Sequence, residues 1–360
     1  MRKVGLGVVG CGFISGIYLK NLQTLFQGMD LVGVCDALPE KAQEAAVLYG
    51  AQWYPDAQTL MKDDRIELIL NLTRPAEHYS ISLMALEAGK HVYSEKPLAL
   101  NMEDARRLME EAKRRALLVG CAPDTVLGAG IQSARRLIDR GETGEIVGAT
   151  ACLMLPGHEL WHPNPDFYYQ PGGGPLMDMG PYYLTALYHL LGPVASVTGM
   201  ARASFPERTI QSGPRAGEKI TVNVGTHIGA LLRFCSGAIV SLTMSFDVQA
   251  AQLPFIEVYG ADGTLSVPDP NTFAGPVKFC PAGSKEFLER PLEFPFTENC
   301  RGLGLSDMAD AILNSRTPRA SGDVALHVLE IMRGILDSAE LGVTVKIDSC
   351  PDRPAPIPQL

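Results

Sequence analysis

A glycine-rich turn close to the start of the chain constrains the fold more than any other stretch. Residues 4–16 read V-G-L-G-V-V-G-C-G-F-I-S-G, so an apolar run leads into glycines and then into a helix-compatible segment. Glycine lets a backbone turn tightly and approach a pyrophosphate closely, and the first N–H groups of a helix can bind phosphate oxygens. The stretch therefore predicts a strand, a phosphate-binding turn and a helix.

Two registers of the dinucleotide-binding pattern G-x-G-x-x-G overlap in this stretch. The earlier register is complete but leaves only residues 1–4 for the strand. The register that starts at Gly10 has Ser15 in place of the third glycine, yet it allows a strand over Val4–Val9. It also puts Asp36 about 20 positions beyond the turn, where the pattern expects an acidic residue. We adopt this second register.

The second register defines the predicted cofactor contacts and the choice of cofactor. A carboxylate after the second apolar run can bind both ribose hydroxyls of NAD, whereas it repels the 2′-phosphate of NADP. The next residues, Ala37 and Leu38, offer no arginine for that phosphate. We therefore expect NAD to be preferred over NADP. The expected contacts here are Gly10, Cys11, Gly12, Phe13, Ile14 and Asp36.

Composition narrows the class of protein and its partners. With 46% hydrophobic and 20% charged residues, the 360-residue chain is typical of a globular protein of about two domains. The net charge of −9 argues against nucleic-acid binding and against binding to anionic membranes. No apolar run approaches the ~20 residues of a membrane helix, and a strand that begins almost at Met1 leaves no room for a signal peptide. The eight cysteines contain no C-x-x-C pair, which argues against a disulfide framework and for the cytoplasm.

Strand-like and helix-like stretches alternate up to about residue 123, which is typical of a parallel, doubly wound α/β sheet. We therefore expect an NAD-binding Rossmann domain over residues 1–123. The predicted strands are Val4–Val9, Leu31–Asp36, Glu67–Leu72, His91–Ser94 and Leu117–Cys121. The predicted helices are Ser15–Phe26, Pro39–Tyr49, Ala76–Ala88 and Met102–Arg115.

The pattern changes in the rest of the chain, where turns at 235–237 and 261–263 favour antiparallel hairpins. We expect residues 124–360 to form an α+β domain with a mostly antiparallel open sheet and an irregular, proline-rich tail from Cys350 to Leu360. The predicted strands are Ile146–Met154, Val194–Arg202, Thr221–Phe234, Ala238–Phe246 and Phe255–Tyr259. The predicted helices are Ala129–Arg140, Leu176–Leu191, Leu305–Leu313 and Val324–Glu340.

A lysine follows the fourth predicted strand, in the segment Ser94-Glu95-Lys96-Pro97-Leu98. The carboxyl ends of strands in an open α/β sheet form the ligand crevice, and the proline favours an extended backbone at Lys96. A lysine held there can act in proton transfer, but charge alone favours a surface lysine paired with Glu95. Its position at the strand end favours the first interpretation only modestly.

Short motifs are spread over nearly the whole chain. They are Val9-Gly-Cys-Gly-Phe-Ile14, Asp36, Thr73-Arg-Pro75 with His78, Glu95-Lys96-Pro97-Leu98, Gly144-Glu-Ile146 and Gly172-Gly-Gly-Pro-Leu-Met-Asp178-Met-Gly180. Together they resemble the Gfo/Idh/MocA family, whose members include glucose–fructose oxidoreductase and inositol dehydrogenase. The resemblance implies a Rossmann domain, an open-sheet domain that supplies substrate contacts and oligomer surfaces, and oxidation or reduction of sugars and cyclitols with NAD or NADP.

The resemblance also implies roles for individual residues of the first domain. Glu95 and Lys96 are expected to contact the cofactor, and Lys96 is also expected to contact substrate and to take part in proton transfer. The cofactor channel is expected to be lined by Thr73, Pro75 and His78.

One departure from the family concerns the catalytic histidine. Many members carry D-x-G-x-H-x-x-D, whereas this chain has Tyr182 in the place of the histidine and Thr185 in the place of the last aspartate. Tyr182 either donates a proton beside Lys96, once its pKa of ~10 is lowered, or only packs or binds substrate and leaves Lys96 as the sole base. Asp178 is either a ligand for a substrate hydroxyl or a helix cap, and the resemblance favours the ligand. The catalytic candidates are therefore Lys96, Tyr182 and Asp178.

The segment His158-Glu-Leu-Trp-His162 matches the zinc-protease pattern H-E-x-x-H. That pattern works only on a helix, and the prolines at 156 and 163 argue against one, so we expect no metal site. We expect instead a loop over the active site that offers a sugar ring an aromatic face and hydrogen-bond donors, the alternative being a loop at a subunit contact. The expected substrate contacts there are Trp161, His162, Tyr168 and Tyr169, and Asp124 is expected to face the same cleft.

The expected function is hydride transfer between NAD and a secondary alcohol of a sugar, glycoside or cyclitol. The alternative is a non-catalytic NAD-binding sensor or regulator on the same fold, although no DNA-binding segment is visible. By resemblance we expect a homodimer or homotetramer, with no nucleic acid and no membrane as partner.

Overall fold

The computed structural model describes residues 2–358, and the chain folds into two compact units. The first unit comprises residues 1–128 and 296–329, and the second comprises 129–295 and 330–360. The predicted division after residue 123 differs from these units mainly in the segment 296–329, which packs with the first. A single domain boundary cannot describe the first unit, because that unit is formed by two separate segments of the chain.

The first unit contains a six-stranded parallel sheet in the order β3-β2-β1-β4-β5-β6, which confirms the predicted Rossmann fold. All six residues of β1 are buried, as expected of a central strand covered on both faces. The strands are β1 (Val4–Val9), β2 (Met29–Cys35), β3 (Gln52–Trp53), β4 (Leu68–Asn71), β5 (His91–Ser94) and β6 (Val119–Cys121). The helices are α1 (Ser15–Thr24), α2 (Pro39–Tyr49), α3 (Ala57–Met61), α4 (His78–Glu87), α5 (Met102–Arg115) and α8 (Leu303–Leu313).

Helix ends in the first unit follow from identifiable capping residues. The Asn101 side chain accepts a hydrogen bond of 2.8 Å from the Asp104 N–H at the start of α5. Gly50 ends α2 with φ of 69°, a left-handed conformation that favours glycine. Strand β3 and helix α3 were not predicted because they span only two and five residues, too few to show a hydrophobic period.

The second unit contains a nine-stranded sheet in the order β16-β15-β14-β13-β7-β12-β11-β8-β17. Every pairing is antiparallel except that of β12 with β7, so the predicted mostly antiparallel sheet is confirmed. The strands are β7 (Ile146–Met154), β8 (Val194–Arg202), β11 (His227–Phe234), β12 (Ile239–Ser245), β13 (Ile256–Gly260), β14 (Gly263–Val267), β15 (Val277–Pro281), β16 (Leu288–Arg290) and β17 (Val345–Lys346), with a separate pair β9 (Glu207–Thr209) and β10 (Lys219–Thr221). The helices are α6 (Ala129–Asp139), α7 (Pro175–Leu191) and α9 (Gly322–Leu341), the last of which carries the chain from the first unit into the second.

The stretch predicted as one strand over Thr221–Phe234 is two strands in the structure. Its start belongs to β10, which pairs with β9, and its end is β11, which lies between β8 and β12. The prediction was wrong because both pieces have strand composition, and the turn residues Asn223 and Gly225 between them were not interpreted as a break. Residues 350–358 form no helix or strand, and the last two residues of the predicted irregular tail, 359 and 360, lie outside the described residues. Within residues 2–358, no helix combines the length and apolar character needed to cross a membrane.

Candidate active site

The glycine turn joins β1 to α1 and lies against the end of β4. Gly10 has φ of 101°, and its N–H donates a hydrogen bond of 2.9 Å to the Cys35 carbonyl. A Cβ on Gly10 would lie 2.6 Å from the Leu72 carbonyl oxygen, so the close approach of these two chain segments requires glycine. At Gly12 an added Cβ would meet nothing within 4 Å, so this glycine faces open space. The turn thus has one buried side, at Gly10, and one open side, at Gly12.

The Asp36 carboxylate accepts hydrogen bonds from two main-chain N–H groups, one of which belongs to the glycine turn. Its Oδ2 accepts the Cys11 N–H at 2.6 Å, and its Oδ1 accepts the Leu38 N–H at 2.8 Å. Burial, with a contribution from the neighbouring Asp36 charge, raises the pKa of the Cys11 thiol to about 12, so this side chain stays neutral. Asp36 is therefore held at the end of β2, beside the turn, as the nucleotide pattern predicts. Phe13 is fully exposed at the open side of the turn.

The loops that follow β4 and β5 are joined by the buried ring of His78. Its Nδ1 lies 2.7 Å from the Pro97 carbonyl oxygen and its Nε2 lies 3.0 Å from the Thr73 carbonyl oxygen. Asn71, fully buried at the end of β4, donates to the His78 carbonyl at 3.0 Å and accepts the Thr73 hydroxyl at 2.6 Å. Thr73, His78 and the segment around Lys96 are thus brought together, whereas Pro75 is exposed in a short 3-10 helix that precedes α4.

Lys96 follows β5 and is half-buried. The Lys96 N–H donates to Oε2 of Glu95 at 3.1 Å, and the other carboxylate oxygen of Glu95 accepts the Tyr18 hydroxyl at 2.8 Å. Burial and then the Glu95 charge raise the pKa of Tyr18, which therefore stays protonated and donates this bond. Tyr18 lies on α1, so helix α1 fixes the carboxylate next to the candidate acid–base lysine.

Asp124 does not face a cleft, and this prediction is corrected. The residue is 1% exposed, and its Oδ2 accepts the N–H groups of Gly302 and Gly304 at 2.8 and 3.1 Å. Burial raises its pKa to about 6 in spite of those two bonds. The carboxylate anchors the start of α8 in the first unit. Sequence spacing missed this role because the partners lie 178 and 180 positions away.

In the second unit, α7 carries Asp178 and Tyr182 four residues apart, which puts both on one face of the helix. Tyr182 is 9% exposed, and the Asp178 side chain is 18% exposed. The Asp178 Oδ2 lies 3.2 Å from Nε2 of His158, a residue that the sequence analysis considered only as part of the zinc-protease pattern. Asp178 therefore makes a side-chain contact outside its own helix in addition to lying in the first helical turn.

The aromatic loop (residues 158–169) contains two short 3-10 helices, His158–Leu160 and Asp166–Tyr169, rather than one α-helix. Trp161 is exposed, Tyr168 is half-buried, and the rings of Tyr168 and Phe167 are 4.0 Å apart. Burial, and secondly the nearby His158, lowers the pKa of His162. Tyr169 was predicted to contact substrate, but it is fully buried and its hydroxyl donates to Glu159, so that prediction is corrected.

A buried ion-pair network holds the aromatic loop on the sheet of the second unit. The Arg208 guanidinium donates to Oε1 of Glu159 at 2.8 Å and also to Asp247, with all three side chains at most 10% exposed. Glu159 also accepts the Tyr169 hydroxyl, and Asp247 accepts the Thr226 hydroxyl at 2.7 Å. The glutamate of H-E-x-x-H is therefore a structural anchor. Within residues 2–358, no group of three or more histidine, cysteine, aspartate or glutamate side chains could hold a metal.

The chain is similar to proteins that are named as dehydrogenases of sugars and inositols. D-glucoside 3-dehydrogenase of Escherichia coli (strain K12) is 28% identical over 70% of this chain and 73% of that protein. Inositol 2-dehydrogenase/D-chiro-inositol 3-dehydrogenase of Lactiplantibacillus plantarum is 34% identical, over 45% of this chain and 53% of that protein. The structure of levoglucosan dehydrogenase in complex with NADH and L-sorbose superposes with a TM-score of 0.83 at 20% identity, covering 97% of this chain and 100% of that one, which shows a shared fold.

Two family models match consecutive parts of the chain. Residues 4–122 match the NAD-binding Rossmann fold of an oxidoreductase family, and residues 131–266 match the C-terminal domain of the same family. The second match begins close to where the second unit begins. The chain therefore belongs to the GFO/IDH/MocA family of oxidoreductases.

Proposed function

We propose that this protein is an NAD-dependent dehydrogenase or reductase that acts on a secondary alcohol of a sugar, glycoside or cyclitol. The observation that carries the proposal is the Asp36 carboxylate, bound to the Cys11 N–H at 2.6 Å beside an open glycine turn. Relatives named for dehydrogenation of glucosides and inositols support the substrate class.

The cofactor would be held by the glycine turn and Asp36. The N–H groups around Gly12 would bind the pyrophosphate, and the Asp36 carboxylate would accept the ribose hydroxyls. The bound nicotinamide supplies a hydride acceptor, or a hydride donor in the reverse direction, at the carbinol carbon. We expect NADP to bind about 10-fold more weakly or worse, because its 2′-phosphate would approach a carboxylate.

Proton transfer is assigned to Lys96, with or without Tyr182. The Lys96 main chain is fixed through Glu95 and Tyr18, so its side chain starts from a constrained position. A neutral amine there would accept the hydroxyl proton as the carbon–hydrogen bond breaks. Tyr182 serves either as the proton relay or as a packing residue on α7.

Substrate orientation is assigned to side chains of the second unit. The Asp178 carboxylate would accept hydrogen bonds from ring hydroxyls, as a charged acceptor binds a sugar more strongly than a neutral one. Trp161, His162 and Tyr168 would supply an aromatic surface for the apolar face of the ring.

We further propose that the protein forms a homodimer or homotetramer through its open sheet. Met200, Leu231 and Ile239 lie on one face of neighbouring strands and are 79%, 53% and 54% exposed. Light scattering after size exclusion should give two or four chains, and Leu231→Glu should shift the mass towards one chain. A wild-type mass of one chain would contradict this.

The test of the function is calorimetric titration with NAD and NADP, followed by a sugar and cyclitol panel read by nicotinamide absorbance. We expect NAD binding, turnover of at least one polyol, and loss of turnover in Lys96→Ala with NAD affinity within about 3-fold of wild type. Wild-type turnover by Lys96→Ala would exclude the mechanism. Tight NAD binding without turnover on a broad panel would instead favour a non-catalytic NAD sensor.

A further inference from the structure

Asp178 has an imidazole neighbour, although the position four residues later on α7 holds a tyrosine. His158 Nε2 lies 3.2 Å from Asp178 Oδ2, and the two side chains are 9% and 18% exposed. The residues are 20 positions apart in sequence and belong to different segments, the aromatic loop and α7. The contact is therefore a product of the tertiary structure and not of helical spacing.

The His158 ring is fixed from several sides. Its main-chain N–H donates to the Tyr169 hydroxyl at 3.2 Å, and Tyr169 is itself tied to the buried Glu159. Its ring centroid lies 4.0 Å from that of Tyr168 and 4.5 Å from that of Phe246. A ring packed in this way has little freedom to turn away from the carboxylate.

The hydrogen-bond partner of His158 Nε2 shows which ring nitrogen carries a hydrogen. A carboxylate oxygen accepts, so the nitrogen that faces Asp178 carries the hydrogen. The other nitrogen, Nδ1, is buried and has no hydrogen-bond partner among the described residues. The hydrogen on Nε2 is therefore pointed at Asp178.

We propose that His158 is a positioning residue that orients the Asp178 carboxylate to accept a hydroxyl of the substrate. The donor reaches Asp178 from the aromatic loop, so the aspartate keeps an imidazole partner although the helix itself supplies none at position 182. The proposal rests on the proposed function, because it assigns Asp178 to a sugar or cyclitol hydroxyl. It makes the aromatic loop part of the substrate site through a hydrogen bond as well as through its ring surfaces.

Two substitutions separate the hydrogen bond from the packing. His158→Gln keeps an N–H donor near the Nε2 position but loses the ring, whereas His158→Phe keeps the ring but loses the donor. We expect KM for the polyol to stay within about 3-fold of wild type in H158Q and to rise about 10- to 100-fold in H158F. NAD affinity should be unchanged in both. A KM in H158F equal to wild type, or a larger rise in H158Q than in H158F, would overturn the proposal.

A second measurement does not depend on turnover. In protein labelled with 15N-histidine, the His158 ring should show the hydrogen on Nε2, and Asp178→Asn should change the Nε2 signal more than that of any other histidine. A signal with the hydrogen on Nδ1 would overturn the proposal whatever the activity. If wild-type protein turns over no polyol, the proposed function fails in the wild type itself, which distinguishes that failure from a defect confined to the H158F variant.

Discussion

The glycine turn of the first unit and the aromatic loop of the second are both candidate ligand-binding segments, but different kinds of contact hold them. The turn is held through its own main-chain N–H groups, which donate from Gly10 to the Cys35 carbonyl and from Cys11 to the Asp36 carboxylate. Side chains hold the loop, through the Arg208 guanidinium between Glu159 and Asp247. The first kind of contact follows from a strand–turn–helix pattern, whereas the second needs residues 49 and 39 positions apart to meet. The turn should therefore tolerate changes to its own non-glycine side chains that the loop does not.

The largest expected effect is that of Arg208→Met on the aromatic loop. The substitution leaves the Glu159 and Asp247 side chains, 5% and 6% exposed, without their shared cation. Breaking a buried ion pair from one side costs about 3–5 kcal/mol, so the free energy of unfolding in urea should fall by that amount. The fluorescence of Trp161 should report loosening of the loop before global unfolding, while NAD affinity stays unchanged.

Arg215→Met is the matched control for this prediction. Arg215 pairs with Asp166 of the same loop at 2.5 Å, but the two side chains are 32% and 43% exposed. Exposed pairs contribute about 0–1 kcal/mol, so this variant should unfold almost as the wild type does. Equal losses in the two variants would show that burial is not what makes the Arg208 network strong.

The difference between the glycine turn and the aromatic loop also explains which site residues could be predicted from the sequence. The positions of Gly10 and Asp36 and of the lysine after β5 could be predicted from the sequence. Each follows a strand of the parallel sheet, and the carboxyl ends of such strands are where ligands bind. His158 was missed as a partner of Asp178, and the only signal was its place in an H-E-x-x-H pattern that pointed to a different chemistry. Asp124 was misread because an acidic residue after a strand looks the same whether it faces solvent or the buried amides of Gly302 and Gly304.

The second prediction compares two glycines of the turn. Gly10→Ala forces φ of 101° on a residue with a Cβ and brings that Cβ to 2.6 Å from the Leu72 carbonyl oxygen, so it should lower the free energy of unfolding by about 3 kcal/mol or more. Gly12→Ala meets no protein atom within 4 Å and should unfold like the wild type. It should nevertheless weaken NAD binding about 10-fold or more, because the methyl group would occupy the pyrophosphate side. Unchanged calorimetric affinity in Gly12→Ala would contradict the assignment of that open side.

The third prediction concerns the pH dependence of stability through Asp124. Its pKa is raised by burial from 3.8 to about 6, so between these values the folded protein holds a proton that the unfolded chain has released. The free energy of unfolding should therefore fall as pH rises through this window, by about 3 kcal/mol at most, and level off above it. Asp124→Asn can still accept both glycine N–H groups and should lack this slope. Urea unfolding at intervals from pH 4 to 7 gives the difference between the two proteins, and parallel curves would show that another group carries the slope.

The smallest expected effect on stability is that of Tyr18→Phe in α1, the helix that follows the glycine turn. The Tyr18 hydroxyl donates to Glu95 at 2.8 Å, and a hydrogen bond to a charged group contributes about 1.5–3 kcal/mol. Glu95 is half-buried and can recover water, so we expect a loss of about 1 kcal/mol in the free energy of unfolding. Turnover should fall more than NAD affinity, because the carboxylate that fixes the Lys96 main chain loses its orientation. Tyr49→Phe is the control, since its hydroxyl is 3.4 Å from the Gly16 carbonyl oxygen in an exposed contact, and it should change neither quantity. A Tyr18→Phe variant with wild-type turnover would mean that β5 alone positions Lys96. The first unit would then depend on side-chain contacts even less, compared with the aromatic loop, than the Gly10 and Asp36 contacts indicate.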